Sequence, residues 1–515
     1  MNRLFKLGFL IASMILFLCL LSSRSSMACS AFCIDKGGNL VVGRSYDWDD
    51  DGGMVVVNKK GQKKIAFRYS FEYQNEHNLA RWTSKYGSIG FVQYGREINI
   101  CGMNEAGLVV NETWLDETHY PSPDSRESLS VDQLVMYILD NYQSVDEIAA
   151  GVSSLRVRPT YNNFTKLHFF AIDATGNGIV IELLNGKTVI YRKEELPIKV
   201  LTNDTYRNSL AYIENPHTID SSSLGRFANA ASLIAKCNSG DAVSYAFSTL
   251  DAVSQGAFTK FKVVFDINNR KIYFKTLKNP NQRYFNFNSF DFSPLTLSKI
   301  LDINAQYSGD VTSKFTDYST AANEALISTS WRKLGNTFDL PSLYLISRYP
   351  ETYDTGISMP APSFPADHTA GVGNSVALGW VRPFQVEGKP LTYQLYLGTN
   401  QNFTGVNPIQ IAAVTSEKPP LNFAGMGVVC GLGLVAPLAT RKRFYCLLLM
   451  LFLFLGCMTG CGGGSHSNNN QSNNELDMTY TVNSLQPATT YYWEVVAMDA
   501  DGNSHSSDVW TFTTK

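Results

Sequence analysis

A mixed α+β region followed by a small all-β module is the fold class this sequence predicts. Three observations point to it. Between residues 29 and 357, runs with period-2 alternation interleave with amphipathic helical stretches; after residue 376 only strand-like alternation remains; and residues 358–375, with Pro360, Pro362 and Pro365 among small residues, read as a linker between the two. At 515 residues the chain is long enough for two or three domains.

The elements follow in order. Residues 1–28 read as a secretory leader: Arg3 and Lys6 at the start, an apolar run over 7–21, and small residues at Ser26 and Ala28. Cleavage after Ala28 makes Cys29 the new N-terminus, placing a thiol and an α-amine on one residue. A thiol near pKa 8.5 beside an amine near 7.7 is a nucleophile that carries its own proton acceptor. An ordinary exported chain that happens to start with cysteine is the plain alternative, and a lipoprotein anchor at Cys29 is a third, although Ser26 and Met27 fit a lipobox poorly. Next, a strand from Cys29, a turn at Gly37-Gly38 and a returning strand bring Arg44 and Asp47 back beside the cysteine. An arginine there favours the thiolate, and a carboxylate orients the amine. Ser130 with Gln133, and Ser144 with Glu147, read as capping boxes that start two helices. Residues 168–173, 178–183 and 187–192 read as consecutive strands, and 258–266 with 271–276 as a hairpin.

These residues resemble the choloylglycine hydrolase family, which includes bile salt hydrolases and penicillin V acylases. The family pattern is an N-terminal Cys followed by Gly-Arg-Asn-x-Asp-Trp; this chain has Gly43-Arg44-Ser45-Tyr46-Asp47-Trp48, with Ser45 where Asn is usual. Further matches lie at Gly102-Met103-Asn104-Glu105-Ala106-Gly107-Leu108, at Thr202-Asn203 and at Arg226-Phe227. The resemblance implies an αββα N-terminal-nucleophile hydrolase sandwich over 29–357. It implies Cys29 as nucleophile, Arg44 and Asp47 beside it, Asn203 as an oxyanion donor and Arg226 as a second active-site arginine. It places Asn111 and Trp114 near the substrate, Trp114 standing where relatives carry Asn or Tyr. The implied reaction is hydrolysis of a linear N-acyl amide, with conjugated bile acids, penicillin V and N-acyl homoserine lactones as candidate substrates. The stretch from Val110 to Trp114 leans toward the penicillin-acylase branch. Tetramers are common in the family, so a homo-oligomer is implied as well.

The module at 376–515 resembles a fibronectin type III sandwich, with Tyr491 as the tyrosine corner and 510–514 as the last strand. An insertion at about 421–477 interrupts it. That segment holds an apolar run over 423–440, then Arg441-Lys442-Arg443, a second apolar run over 444–455, Cys461 after a lipobox-like Met458-Thr459-Gly460, and a Gly- and Asn-rich tract. Three readings are open: membrane association through 423–461, a foreign sequence tolerated in a loop, or a faulty gene model.

A net charge of −2 without a long basic run in the exported part argues against a nucleic-acid partner. The nine cysteines do not form a disulfide pattern: Cys19 lies in the leader, Cys29 is the nucleophile, and four fall in the insertion, leaving Cys33, Cys101 and Cys237. The histidines are scattered, and neither a metal site nor another cofactor is expected. The rival function is surface adhesion through the all-β module with an inactive hydrolase-like domain, and the intact Cys29, Arg44, Asp47, Asn203 and Arg226 set argues against it.

Overall fold

The computed structural model describes residues 29–67, 78–159, 165–214, 220–238, 240–333, 346–414 and 477–515. The leader and nearly all of the 421–477 insertion lie outside these residues, so neither expectation is placed by them. The described residues belong to one compact unit.

The first strands obey the expected hairpin. β1 (Ser30–Lys36) and β2 (Asn39–Asp47) pair antiparallel in a register that sets Ser30 against Ser45 and Ala31 against Arg44. Gly37 and Gly38 join them with φ of 60° and 79°, both left-handed, as the tight hairpin turn that follows strand twist requires. Gly43 is needed for another reason: an added Cβ would lie 2.5 Å from the Phe32 ring on the neighbouring strand.

β3 (Met54–Asn58), β4 (Ser88–Val92), β5 (Asn99–Asn104) and β6 (Val109–Trp114) come next, then helices α1 (Leu134–Asn141) and α2 (Val145–Gly151). β7 (Leu167–Ile172), β8 (Gly178–Leu184) and β9 (Lys187–Arg192) form the expected meander, and the short β10 (Val200–Leu201) leads to α3 (Tyr206–Glu214), α4 (Ser223–Lys236) and α5 (Ala242–Ala252). β11 (Thr259–Asp266), β12 (Lys271–Thr276), β13 (Arg283–Asn286), β14 (Lys299–Asp302), β15 (Gly309–Asp310) and β16 (Thr316–Asp317) complete the strands of the main sheets.

Two large sheets result, a seven-stranded one in the order β10-β1-β2-β11-β12-β13-β15 and a nine-stranded one in the order β9-β8-β7-β6-β5-β4-β3-β14-β16. Alternation along the strands shows how they stack. Val109, Phe170 and Val180 join a core with Ala31, Val42 and Val263 of the other sheet, whereas their neighbours Val110, Phe169 and Ile181 pack against Leu134, Val135 and Ile138 of α1. Phe227 and Ala230 of α4 and Phe247 and Leu250 of α5 cover the seven-stranded sheet. The layers are therefore helix, sheet, sheet, helix, and the mixed α+β expectation takes its αββα form.

Two local expectations need correction. Ser130 starts a 3-10 turn without a side-chain cap bond, because Gln133 turns its carbonyl to the Phe67 N–H at 2.6 Å instead of back to the cap. Ser144 does cap α2, accepting from the Glu147 N–H at 3.3 Å. The stretch 358–375 is not an open linker either. Ala361–Phe364 pairs with Val376–Val381, and Thr369–Val372 runs parallel to Trp510–Thr514. Proline is tolerated in the first of these because it is an edge strand. Ala361, Val381, Phe384 and Val386 then join one apolar cluster with Phe67, Leu79 and Trp82 of the hydrolase region. The two regions share a core instead of hanging on a tether.

The C-terminal module is a two-sheet sandwich around Trp380, Tyr393, Trp493 and Phe512. Tyr491 makes the expected corner, its hydroxyl accepting from the Gln486 N–H at 3.0 Å. Strands on both sides of the insertion, Ile409–Val414 and Asp477–Val482, belong to this sandwich. Among the described residues no helix is long and apolar enough to cross a membrane.

Gly43→Ala should push the Phe32 ring out of its site and cost about 1–3 kcal/mol. A urea-unfolding midpoint equal to that of the wild type would contradict this packing.

Candidate active site

Cys29 sits at the start of β1, 4 % exposed. Its nitrogen donates to Asn203 Oδ1 at 2.7 Å and its carbonyl accepts from Arg226 Nη1 at 2.9 Å. Arg226 reaches both from the first turn of α4: Nη1 also donates to Ser30 Oγ at 2.9 Å, and Nη2 to Asn203 Oδ1 at 2.9 Å. The Asn203 carboxamide is thereby oriented by its partners. Its oxygen faces two donors and its Nδ2 donates to the Trp114 carbonyl at 2.9 Å, leaving one N–H of Nδ2 for a ligand.

Asp47 lies at the end of β2, fully buried, 4.0 Å from Arg226 Nη1. One carboxylate oxygen accepts from Thr259 Oγ1 and the other from Ser45 Oγ at 3.3 Å. Ser45 in turn accepts from the Ser30 N–H at 3.2 Å, so the departure from the family's Asn exchanges one hydrogen-bonding side chain for another. Burial raises the Asp47 carboxyl to about 6, against the pull of Thr259, Arg226 and Ser45.

Arg44 is fully buried, and its Nη1 donates to the carbonyls of Ile100 and Glu112 on the facing sheet. That anchors the guanidinium between the sheets on the Cys29 side of β2. Its charge does lower the Cys29 thiol, but burial is the larger effect and pushes the thiol up to about 11, with Arg226 also pulling it down. Position alone therefore does not ionise the sulfur at neutral pH.

The structure thus brings Cys29, Arg44, Asp47, Asn203 and Arg226 together from β1, β2, the turn after β10, and α4. Asn111 is placed differently: it is fully buried on β6, opposite Cys101 and Phe170, and among the described residues its amide has no hydrogen-bond partner. Trp114, at the end of β6, is half-buried, and its ring centroid lies 5.8 Å from that of Trp48. The Trp48 indole N–H donates to the Tyr94 hydroxyl, which steadies the ring. Trp48 closes the Gly43–Trp48 motif in the sequence, yet nothing local to it assigned the ring a place beside Trp114.

Cys33, Cys101 and Cys237 are free thiols, as is Cys29. A cavity of about 630 Å³ lined by Cys33, Ile198, Tyr212, Ala231 and Ile234 is centred on the other end of β1. Cys33 stands four strand residues, about 13 Å, from Cys29, so this space is separate from the reactive cluster. Among the described residues no group of His, Cys, Asp and Glu is arranged to hold a metal ion.

Residues 29–234 match the model of the linear amide C-N hydrolases, choloylglycine hydrolase family. This region is a choloylglycine hydrolase family domain. Over 202 residues, 36% of this chain, it is 30% identical to the penicillin V acylase of Pectobacterium atrosepticum, and the match spans 51% of that protein, about half its length. Among solved structures, penicillin V acylase from Agrobacterium tumefaciens superposes with a TM-score of 0.49 at 25% identity, over 57% of this chain and 98% of the other. A variant of the conjugated bile acid hydrolase from Clostridium perfringens gives 0.46 at 18% identity, over 54% and 98%. Residues 460–515 match the Rha78A-like, N-terminal immunoglobulin domain, in keeping with the C-terminal sandwich.

Arg226→Ala would strip donors from Asn203 Oδ1, the Cys29 carbonyl and Ser30 at once. A loss of about 3 kcal/mol in unfolding free energy is expected, since each stranded buried acceptor costs roughly 1–3 kcal/mol and partial relaxation offsets some of it. A loss under about 1 kcal/mol would mean that the cluster does not depend on this side chain.

Proposed function

We propose that the chain is an exported amidase that, once cut after Ala28, hydrolyses linear N-acyl amides through a thioester on Cys29. The observation that carries this reading is the placement of the Cys29 nitrogen itself, held 2.7 Å from Asn203 Oδ1 within the same cluster as both arginines and Asp47. Before cleavage that nitrogen is a peptide N–H and has no basicity. Cleavage turns it into an α-amine with a free pair, already oriented, next to a thiol that burial keeps protonated.

In the reaction the thiol proton passes to the α-amine as Sγ bonds to the amide carbon. The carbonyl π pair moves to oxygen, where the free N–H of Asn203 Nδ2 stabilises it. Collapse breaks the C–N bond, and the α-ammonium returns the proton to the leaving nitrogen. Water then adds to the thioester, giving a proton to the α-amine. The C–S bond breaks, releasing the carboxylic acid and restoring the thiol. Arg44 stabilises negative charge on the sulfur, and Asp47 holds Ser45 and Arg226 in place.

The Trp48 and Trp114 rings adjoin this centre and favour an apolar or aryl acyl group. Among the candidate substrates this points first to penicillin V, the substrate named for the relative from P. atrosepticum.

Purified processed protein should release phenoxyacetate from penicillin V, and Cys29→Ala should release none. Asn203→Ala should retain activity reduced on the order of 100- to 1000-fold. Turnover by Cys29→Ala above background would overturn the proposal. Asp47 becomes neutral as pH falls through about 6, since its carboxyl is raised to that value. The pH profile of kcat/KM should therefore show an acid limb near 6 that Asp47→Asn removes. A limb unchanged in the variant would assign it to another group.

A further inference from the structure

His168 and Glu182 are both fully buried, and neither takes part in the chemistry above. They sit side by side on β7 and β8, His168 Nδ1 being 3.3 Å from Glu182 Oε1. His168 Nε2 lies 2.8 Å from the Thr202 carbonyl, and because a carbonyl only accepts, this nitrogen carries the hydrogen. Glu182 Oε1 stands beside Nδ1, on the edge of the ring away from Thr202. Glu182 Oε1 also accepts from the Tyr206 N–H at 2.7 Å, one of the unpaired donors at the start of α3.

The Thr202 carbonyl and the Asn203 N–H belong to a single peptide plane, and side chains satisfy both of its ends. The carbonyl takes a second bond from Thr113 Oγ1 at 3.0 Å, filling its two lone pairs. On the other side the N–H donates to Ser223 Oγ at 2.8 Å, and Thr202 Oγ1 donates to the Ser223 carbonyl at 3.0 Å. Donors and acceptors from β6, β7 and α4 thus grip one peptide group, and β8 steadies the histidine. That peptide group is the one from which the Asn203 side chain extends. Because β10 is only two residues long, these side chains hold the backbone at Asn203 where a longer strand ladder would otherwise do so.

We propose that His168, backed by Glu182, is a positioning residue that locks the Thr202–Asn203 peptide so that Asn203 aims its amide at the carbonyl attacked by Cys29. This rests on the amidase reading for its catalytic consequence but not for the clamp itself. His168→Phe keeps the volume and removes the donor, whereas His168→Gln returns an N–H close to the Nε2 position. Thr113→Val removes the second donor with little change of shape, and serves if His168→Phe fails to fold.

The variants are compared by kcat and KM on penicillin V, by iodoacetamide alkylation of Cys29, and by hydrogen exchange of the Asn203 amide. His168→Phe should lower kcat on the order of 10- to 100-fold, the scale of a displaced catalytic group, with KM and the alkylation rate nearly unchanged. Exchange at Asn203 should quicken. His168→Gln should recover most of kcat and the slow exchange, and Thr113→Val should shift both readouts in the same direction as His168→Phe, less far. A kcat in folded His168→Phe or Thr113→Val within about twofold of wild type, or failure of His168→Gln to recover it, would overturn the inference. If the wild type cleaves no acyl amide, the amidase reading fails on its own. Asn203 exchange then still decides the clamp, and equal rates in wild type and His168→Phe would overturn it.

Discussion

The carboxamide of Asn203 receives the Cys29 nitrogen and Arg226 on its oxygen and gives one N–H to the Trp114 carbonyl. Those three bonds tie the first strand, the first turn of α4 and the end of β6 to a single planar group. A carboxamide has two acceptor sites on oxygen and two donors on nitrogen, so three commitments fix its plane and leave one donor pointing out. Everything else in the centre is arranged about that geometry. Arg226 can serve it only because α4 starts beside β10, and Cys29 only because β1 is paired on both edges, with β10 and with β2.

Electrostatics set the second constraint. The centre is dry enough that burial outweighs the arginines at Cys29 and outweighs the hydrogen bonds at Asp47. A thiol raised in this way needs a base within reach before it can act as a nucleophile. In this account proteolysis at Ala28 supplies the missing base. The same low dielectric then strengthens the interaction between the developing oxyanion and its donor.

Much of this was legible in the sequence, for physical reasons that differ by residue. The Gly37-Gly38 turn was readable because two consecutive left-handed positions leave few alternatives to glycine. Asp47 and Arg44 followed from that turn, since a two-residue hairpin fixes the register of everything beyond it. Thr202-Asn203 and Arg226 were readable by family likeness alone, because nothing local says that a short strand and a helix start will meet. The Ser130–Gln133 pair was misjudged because a tertiary partner, the Phe67 N–H, outcompeted the local cap. The proline-containing stretch was misjudged because an edge strand can use residues that lack donors, and pairing with distant strands leaves no local trace. His168 was read only as part of a strand, its partner Thr202 being 34 residues away.

The central claim is that Cys29 acts with its own free amine. Intact-mass and N-terminal peptide mass spectrometry of the exported protein tests it most directly. The account predicts a mature chain that begins at Cys29 with an unmodified amine and thiol. A chain that keeps residue 28, or a Cys29 bearing lipid on its amine and sulfur, would leave the thiol without its base and contradict the mechanism.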